Sequence, residues 1–82
     1  MRLDDYLSTV GLIKRRTVAK EFAANRLIEV NGRVVKPAYE VHPGDIIRVK
    51  GSHPMAAEVL EIPGSSVPKA DREKYFKLLP LS

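Results

Sequence analysis

The chain opens on a helical rhythm. In LDDYLSTV, residues 3–10, Leu3, Leu7 and Val10 recur at intervals of four and three. That spacing places them on one face of an α-helix. Asp4 and Asp5 fall in its first turn, where the positive end of the helix dipole favours acids, and Gly11 is a natural stop. The rhythm returns further on. Val18, Ala19, Phe22 and Ala23 lie within one broad arc at about 100° per residue, which predicts a second helix from about Arg16 to Ala24 with that arc toward the core. Asn25 follows, and Asn is the best substitute for Gly at a left-handed helix end.

Past Asn25 the period shortens. In LIEVNGRVV two β-branched runs flank Asn31-Gly32, a strong two-residue hairpin signal. Such a turn sets Val30 opposite Arg33 and Ile28 opposite Val35 on one side of the ladder. Lys36-Pro37 ends the second strand, and HPGD, residues 42–45, reads as a turn. Ile46 to Lys50 and Ala57 to Ile62 read as two further strands. PGSSVP, residues 63–68, is a linker. ADREKYFKLL is compatible with a final helix whose apolar side is Tyr75, Phe76 and Leu79. The expected fold class is therefore α+β. Two N-terminal helices pack on a small, mostly antiparallel sheet in residues 1–62, and residues 63–82 form a linker and a short helical tail.

Composition narrows the chemistry. A chain of 82 residues forms one domain. Cysteine is absent, which excludes disulfides, zinc–thiolate sites and thiol catalysis and suits a reducing interior. No apolar run approaches the length of a membrane span or a signal segment, so a cytoplasmic protein with no membrane partner is expected. The net charge of +4 is unevenly spread. Residues 1–36 hold eight Lys/Arg against four acids, and residues 37–82 hold six of each. Such asymmetry points to a polyanionic partner.

The asymmetry is sharpest in GLIKRRTVAKE, where Lys14, Arg15 and Arg16 adjoin at the start of the second helix. A helix N-terminus prefers acids, and Arg16 repels Lys20 four residues on by a few tenths of a kcal/mol. Neither cost helps folding, so truncating Arg16 is expected to leave stability unchanged or raise it. Both costs vanish when an anion is bound. Free backbone N–H groups at a helix start and planar guanidinium forks both suit phosphate oxygens. Lys14, Arg15, Arg16 and Lys20 thus read as a phosphate-backbone contact. The competing structural reading is a solvated helix edge whose long stems cover apolar surface.

The ordered motifs Arg2-Leu3-Asp4, Arg16 with Ala19, Val30-Asn31-Gly32 and Pro43-Gly44-Asp45 resemble the S4 RNA-binding domain over about residues 2–50. Two positions depart from its pattern. Asn25 stands for a Gly, and Arg15 stands for a small capping residue, forgoing a cap of about 1 kcal/mol. The whole chain is similar to the small RqcP-type ribosome-associated quality-control factors, relatives of the small heat-shock S4 proteins. That resemblance implies an S4-type α+β fold and a non-enzymatic factor, here a stand-alone domain with no room for a catalytic one. It implies binding to the large ribosomal subunit carrying a stalled peptidyl-tRNA, with contacts to tRNA and ribosomal RNA, in support of C-terminal tailing. A tail-adding quality-control protein is then a candidate partner. The resemblance moves Arg2 from a surface salt bridge with Asp4 or Asp5 toward RNA. Arg26 and Lys36, flanking the hairpin, extend the basic face, and Asn31, first a turn residue, can reach RNA as well.

Other chemistry finds little support. His42 and His53 lack metal-ligand spacing, and the glycines are isolated rather than grouped in a phosphate loop. No metal or other cofactor is expected, and a monomer is. Asp4 and Asp5 are neighbours, not an opposed acid/base pair. Tyr6, Tyr39 and Tyr75 can stack on bases, although packing is their ordinary role. Three alternatives remain: an S4 module for another structured RNA in tRNA or rRNA maturation, a helix-turn-helix DNA-binding protein, and an adaptor for acidic proteins. The second lacks a third helix and a base-reading Asn/Gln set.

Overall fold

The computed structural model describes residues 1–64 and 67–81. Ser65 and Ser66 of the expected linker, and Ser82, lie outside the described residues. Helix α1 spans Leu3–Thr9 and α2 spans Arg16–Ala24. Strands β1 (Ile28–Val30), β2 (Arg33–Val34), β3 (Ile46–Val49), β4 (Met55–Val59) and β5 (Phe76–Leu79) form one sheet in the order β2-β1-β3-β4-β5. Every neighbouring pair is antiparallel. The α+β architecture of two helices and an antiparallel sheet is the one the periodicity predicts. No helix among the described residues is long and apolar enough to cross a membrane.

One hydrophobic cluster joins the layers. Leu3, Tyr6, Leu7 and Val10 of α1 and its end, and Ala19 and Ala23 of α2, are buried with Ile28, Val30, Ile47, Val49 and Val59 of the sheet. The first helix's apolar triad is thus fully inside. In the second arc only Ala19 and Ala23 are buried, and Val18 and Phe22 are half-buried. Tyr6 is wholly buried and donates its hydroxyl to the Tyr75 carbonyl at 2.7 Å. Burial drives its pKa well above the ordinary phenol value, so it is a core residue and not a base-stacking one.

The hairpin takes the expected register. Val30 pairs with Arg33, and Val35 N–H donates to the Ile28 carbonyl at 3.3 Å. Asn31 and Gly32 have φ of 54° and 83°, the two positive values a type I′ turn requires. The HPGD turn closes with Asp45 N–H on the His42 carbonyl at 3.1 Å.

Two expectations are corrected. Asn25 is not the left-handed residue: it caps α2 with φ −90°, and Arg26 takes φ 61° instead. Arg26 N–H donates to the Ala23 carbonyl and Leu27 N–H to the Phe22 carbonyl, a Schellman motif whose left-handed site falls one residue past the cap. The helix ends at Ala24 as expected, but the left-handed site falls on Arg26 and not on Asn25, at a cost of about 1 kcal/mol for a non-glycine there. The second correction concerns the tail. Instead of a final helix, Lys69–Lys74 form a 3-10 turn and Phe76–Leu79 form β5. There β5 pairs with β4 from Val59↔Phe76 to Ala56↔Leu79. A helix would leave the backbone edge of β4 unpaired, whereas the strand satisfies it. The turn also lies against Gly11, just past the end of α1. Gly11 has φ +82°, and a Cβ there would come within 2.8 Å of the Arg72 side chain.

A single carboxylate ties the loops together. Asp45, 8% exposed, accepts from Asn31 Nδ2 at 3.0 Å, from the Tyr39 hydroxyl at 3.0 Å and from His42 N–H at 2.9 Å. Ile46 N–H donates to Asn31 Oδ1 at 3.0 Å. Burial alone would raise the Asp45 pKa, but these three donors outweigh it and hold it below the ordinary carboxylate value. Tyr39 moves the other way, raised by burial and by its bond to Asp45.

Asp45→Ala should destabilise the fold by about 2–4 kcal/mol, since it strands three donors. Because the folded pKa is depressed, the contribution of Asp45 is complete at neutral pH and is lost as pH falls through the folded value. Thermal melts between about pH 5 and pH 2 should therefore fall more steeply for the wild type than for Asp45→Asn. Parallel curves would remove Asp45 from this role.

Candidate nucleic-acid interface

The chain's N-terminus is pinned before any side chain acts. Leu3 N–H donates to the Tyr39 carbonyl at 2.7 Å and Asp4 N–H to the Pro37 carbonyl at 3.2 Å. The loop between β2 and β3 thus satisfies the first donors of α1, which no side chain caps. Arg2 bridges Glu40 in the same antiparallel contact, so its backbone is held at the edge of the domain.

Asp4 is the centre of the site, and its side chain is 0% exposed. Arg2 grips it with a fork, Nε on Oδ1 and Nη2 on Oδ2, both at 3.1 Å. Asp5 N–H adds a third bond to Oδ1 at 2.8 Å. Arg16 arrives from α2, placing Nε 2.8 Å from Asp5 Oδ1 and 3.9 Å from Asp4 Oδ2. The packing of α1 on α2 brings the two N-termini together. Two arginines fourteen positions apart in sequence therefore stand beside one buried carboxylate, Arg2 bonded to it and Arg16 held next to it by Asp5.

Around that pair the surface is basic and unneutralised. Lys14, Arg15 and Lys20 are exposed and form no ion pair among the described residues. Arg15 is the α2 N-cap in extended conformation, with no side-chain cap, so the first N–H groups of α2 stay open beside it. Arg26 and Lys36 are not in this group. They line a separate cleft past the other end of α2, with Ala23, Ala24, Val34 and Val35, and the nine residues of α2 separate the two ends by about 13 Å. The Asn31 side chain is engaged by Asp45 and Ile46 and serves the hairpin. Tyr39 is likewise occupied by Asp45.

The sequence names Asp4 or Asp5 as an ion-pair partner for Arg2, and the structure adds that Asp4 is buried and that Arg16 pairs with Asp5. Asp4 lies three residues before Leu7 and six before Val10, on the flank of the apolar arc, and that spacing was the available signal that it turns inward. The reading also passed over Arg33 and Arg48, both exposed and free of ion pairs among the described residues. Their place in the strand alternation, solvent-facing in β3 for Arg48, would have marked them. Among the described residues no group of three or more His, Asp or Glu is arranged to hold a metal.

Two helix starts that meet at a buried carboxylate bonded to Arg2, on a small antiparallel sheet, define an α+β domain with one basic face. The S4 domain model matches residues 1–47, and the chain belongs to that family. It is 37% identical over 80 residues to the RQC P-site tRNA stabilizing factor of Helicobacter pylori (strain J99), covering 93% of each chain. The protein of the same name from Streptococcus pneumoniae is 40% identical over 80 residues, covering 96% of this chain and 90% of that one. The solution structure of the hypothetical protein HP1423 superposes with a TM-score of 0.82 at 31% identity, covering all of both chains.

The ion pairs reverse one expectation about stability. Arg16 is not a purely repelled cation, because Asp5 and Asp4 receive it. Arg16→Ala should destabilise by up to about 1 kcal/mol, as for an exposed ion pair. Arg2→Ala should cost more, about 3 kcal/mol, because it removes the fork from a buried carboxylate. Urea melts of the two variants check the order, and an Arg16→Ala variant more stable than wild type would show these bridges to be energetically empty.

Proposed function

We propose that this protein is a non-catalytic, cytoplasmic RNA-binding factor of ribosome-associated quality control. In this reading it binds the large ribosomal subunit while peptidyl-tRNA occupies the P site, touches both that tRNA and ribosomal RNA, and supports C-terminal tailing by a separate tail-adding protein. The observation that carries the reading is the anchored pair Arg2 and Arg16 beside Lys14, Arg15 and Lys20, which make no ion pair among the described residues. The relatives named as P-site tRNA stabilizing factors supply the ribosomal setting.

The physical division of labour is as follows. Arg2 and Arg16 present planar donors that suit phosphate oxygens in a fixed direction. Lys14, Arg15 and Lys20 supply attraction with little orientation, and their release of counterions makes binding depend on salt. Arg26 and Lys36 form a second, smaller basic contact beyond the far end of α2. Asn31 acts on RNA only through the hairpin it holds. Each charged phosphate contact contributes about 1.5–3 kcal/mol.

With four or five phosphates neutralised, log K against log salt should fall with a slope of about −3 to −4.5. Duplex DNA should compete poorly, because A-form shape and 2′-hydroxyls are what an RNA module senses. Arg15→Ala and Lys20→Ala are the clean variants, since neither side chain supports the fold through an ion pair among the described residues. Each should weaken co-sedimentation with large subunits carrying P-site tRNA and leave the melting temperature unchanged. A flat salt response would favour the acidic-protein adaptor. Equal competition by DNA would favour the helix-turn-helix reading. Full binding to large subunits without tRNA would favour a different RNA target.

A further inference from the structure

The two neighbouring aspartates of α1 carry the same charge and sit in different surroundings. The Asp4 side chain is 0% exposed and takes part in the Arg2 fork, the Asp5 N–H bond and the Arg16 contact. The Asp5 side chain is 35% exposed and has one partner, Arg16, itself 57% exposed. The donors left over differ accordingly. A guanidinium has five N–H groups. Arg2 directs two at Asp4, from Nε and Nη2, and three remain for an outside ligand. Arg16 directs only Nε at the acids, and both of its terminal nitrogens remain.

From this asymmetry we infer that Asp4 and Asp5 act on RNA binding in opposite directions. Asp4 is a positioning residue that orients the Arg2 donors, and Asp5 is a competitor that occupies Arg16 until a phosphate displaces it. The inference rests on the reading of this basic surface as an RNA contact and deepens it. Asp4 lies beneath the surface with its oxygens already shared among donors. A phosphate arriving at the arginines meets their free N–H groups and not the carboxylate. Removing the Asp4 charge lets the Arg2 side chain spread over its rotamers, so the ordering cost falls on the binding step. Asp5 faces solvent in an exposed pair of the kind that exchanges easily. Its charge repels phosphate at the contact itself.

The sign of the effect makes the test decisive. Asp4→Asn and Asp5→Asn each change net charge by one unit, so general electrostatics predicts the same modest tightening for both. Positioning predicts that Asp4→Asn weakens binding, because an amide NH2 turned toward a guanidinium meets only donors and the fork opens. The measurement is affinity for purified large ribosomal subunits carrying P-site tRNA, at fixed salt and below every melting temperature. Asp4→Asn should weaken binding by about tenfold, the loss of one charged hydrogen bond. Asp5→Asn should tighten it by about two- to threefold, the removal of one solvent-screened repulsion. Arg2→Lys provides a second route that leaves the buried carboxylate in place. It keeps the charge and loses the fork, so positioning predicts a loss close to that of Arg2→Ala.

The outcomes separate the two levels of the argument. If wild type binds with its salt dependence and Arg15→Ala weakens it, the RNA reading stands, and the aspartates are judged on their own. Asp4→Asn binding as tightly as wild type or tighter then overturns the positioning role. Asp5→Asn binding no tighter than wild type overturns the competitor role. If Asp4→Asn does not fold, Arg2→Lys decides, and retained affinity in that variant overturns positioning. A wild type indifferent to Arg15→Ala overturns the RNA reading itself, and the inference with it.

Discussion

The buried carboxylate of Asp4 is the constraint around which the functional end of this domain is organised. Removing a charged group from water costs several kcal/mol unless partners replace its hydration. In an 82-residue chain, where stability is a small difference between large terms, that cost has to be met locally. Arg2 meets most of it with two bonds, Asp5 N–H adds a third, and the Arg16 charge lies 3.9 Å away. The carboxylate in turn decides where the Arg2 guanidinium can stand, and its neighbour Asp5 does the same for Arg16. Charge satisfaction inside and donor presentation outside are one arrangement.

The basic start of α2 has two explanations at different depths. Arg16 is partly neutralised by Asp5 and Asp4, so the first helix places acids at its own positive end and lends them to the second. This lowers the dipole cost of Arg16 without any ligand. Lys14, Arg15 and Lys20 receive no such help among the described residues. Their cost is left for a bound anion to offset, which is why these three speak more directly to function than Arg16 does.

Asp45 plays a parallel part on the other side of the first loop. It joins the hairpin tip through Asn31, the β2–β3 loop through Tyr39 and its own turn through His42. Tyr39 then passes the constraint to Leu3 N–H through its carbonyl. The path from Asp45 to the start of α1 is a run of bonded groups, so the residues that read as a turn signature also set the position of Arg2. Asp4 orients the guanidinium of Arg2, and Asp45 helps place its backbone.

Much of the fold was legible because it is local. The apolar spacing of Leu3, Leu7 and Val10, the Asn31-Gly32 turn and its register, and the HPGD turn all follow from steric preferences of adjacent residues, which no distant partner overrode. The basic candidates were legible as well, since a run of cations is visible in one dimension. What tertiary structure decided was partnership. The sequence placed Asp4 and Asp5 together in a first turn, and only the packing of α1 on α2 made one a buried hub and the other an exposed partner of Arg16. The same holds for Asn31, whose side chain went to Asp45, and for Arg26, which took the left-handed site one residue past the Asn25 cap. It holds most plainly for Phe76–Leu79, whose apolar residues suit a helix or a strand equally. The open edge of β4 chose the strand, because backbone groups unpaired on that edge weigh more than the weak preference of a short segment for either form.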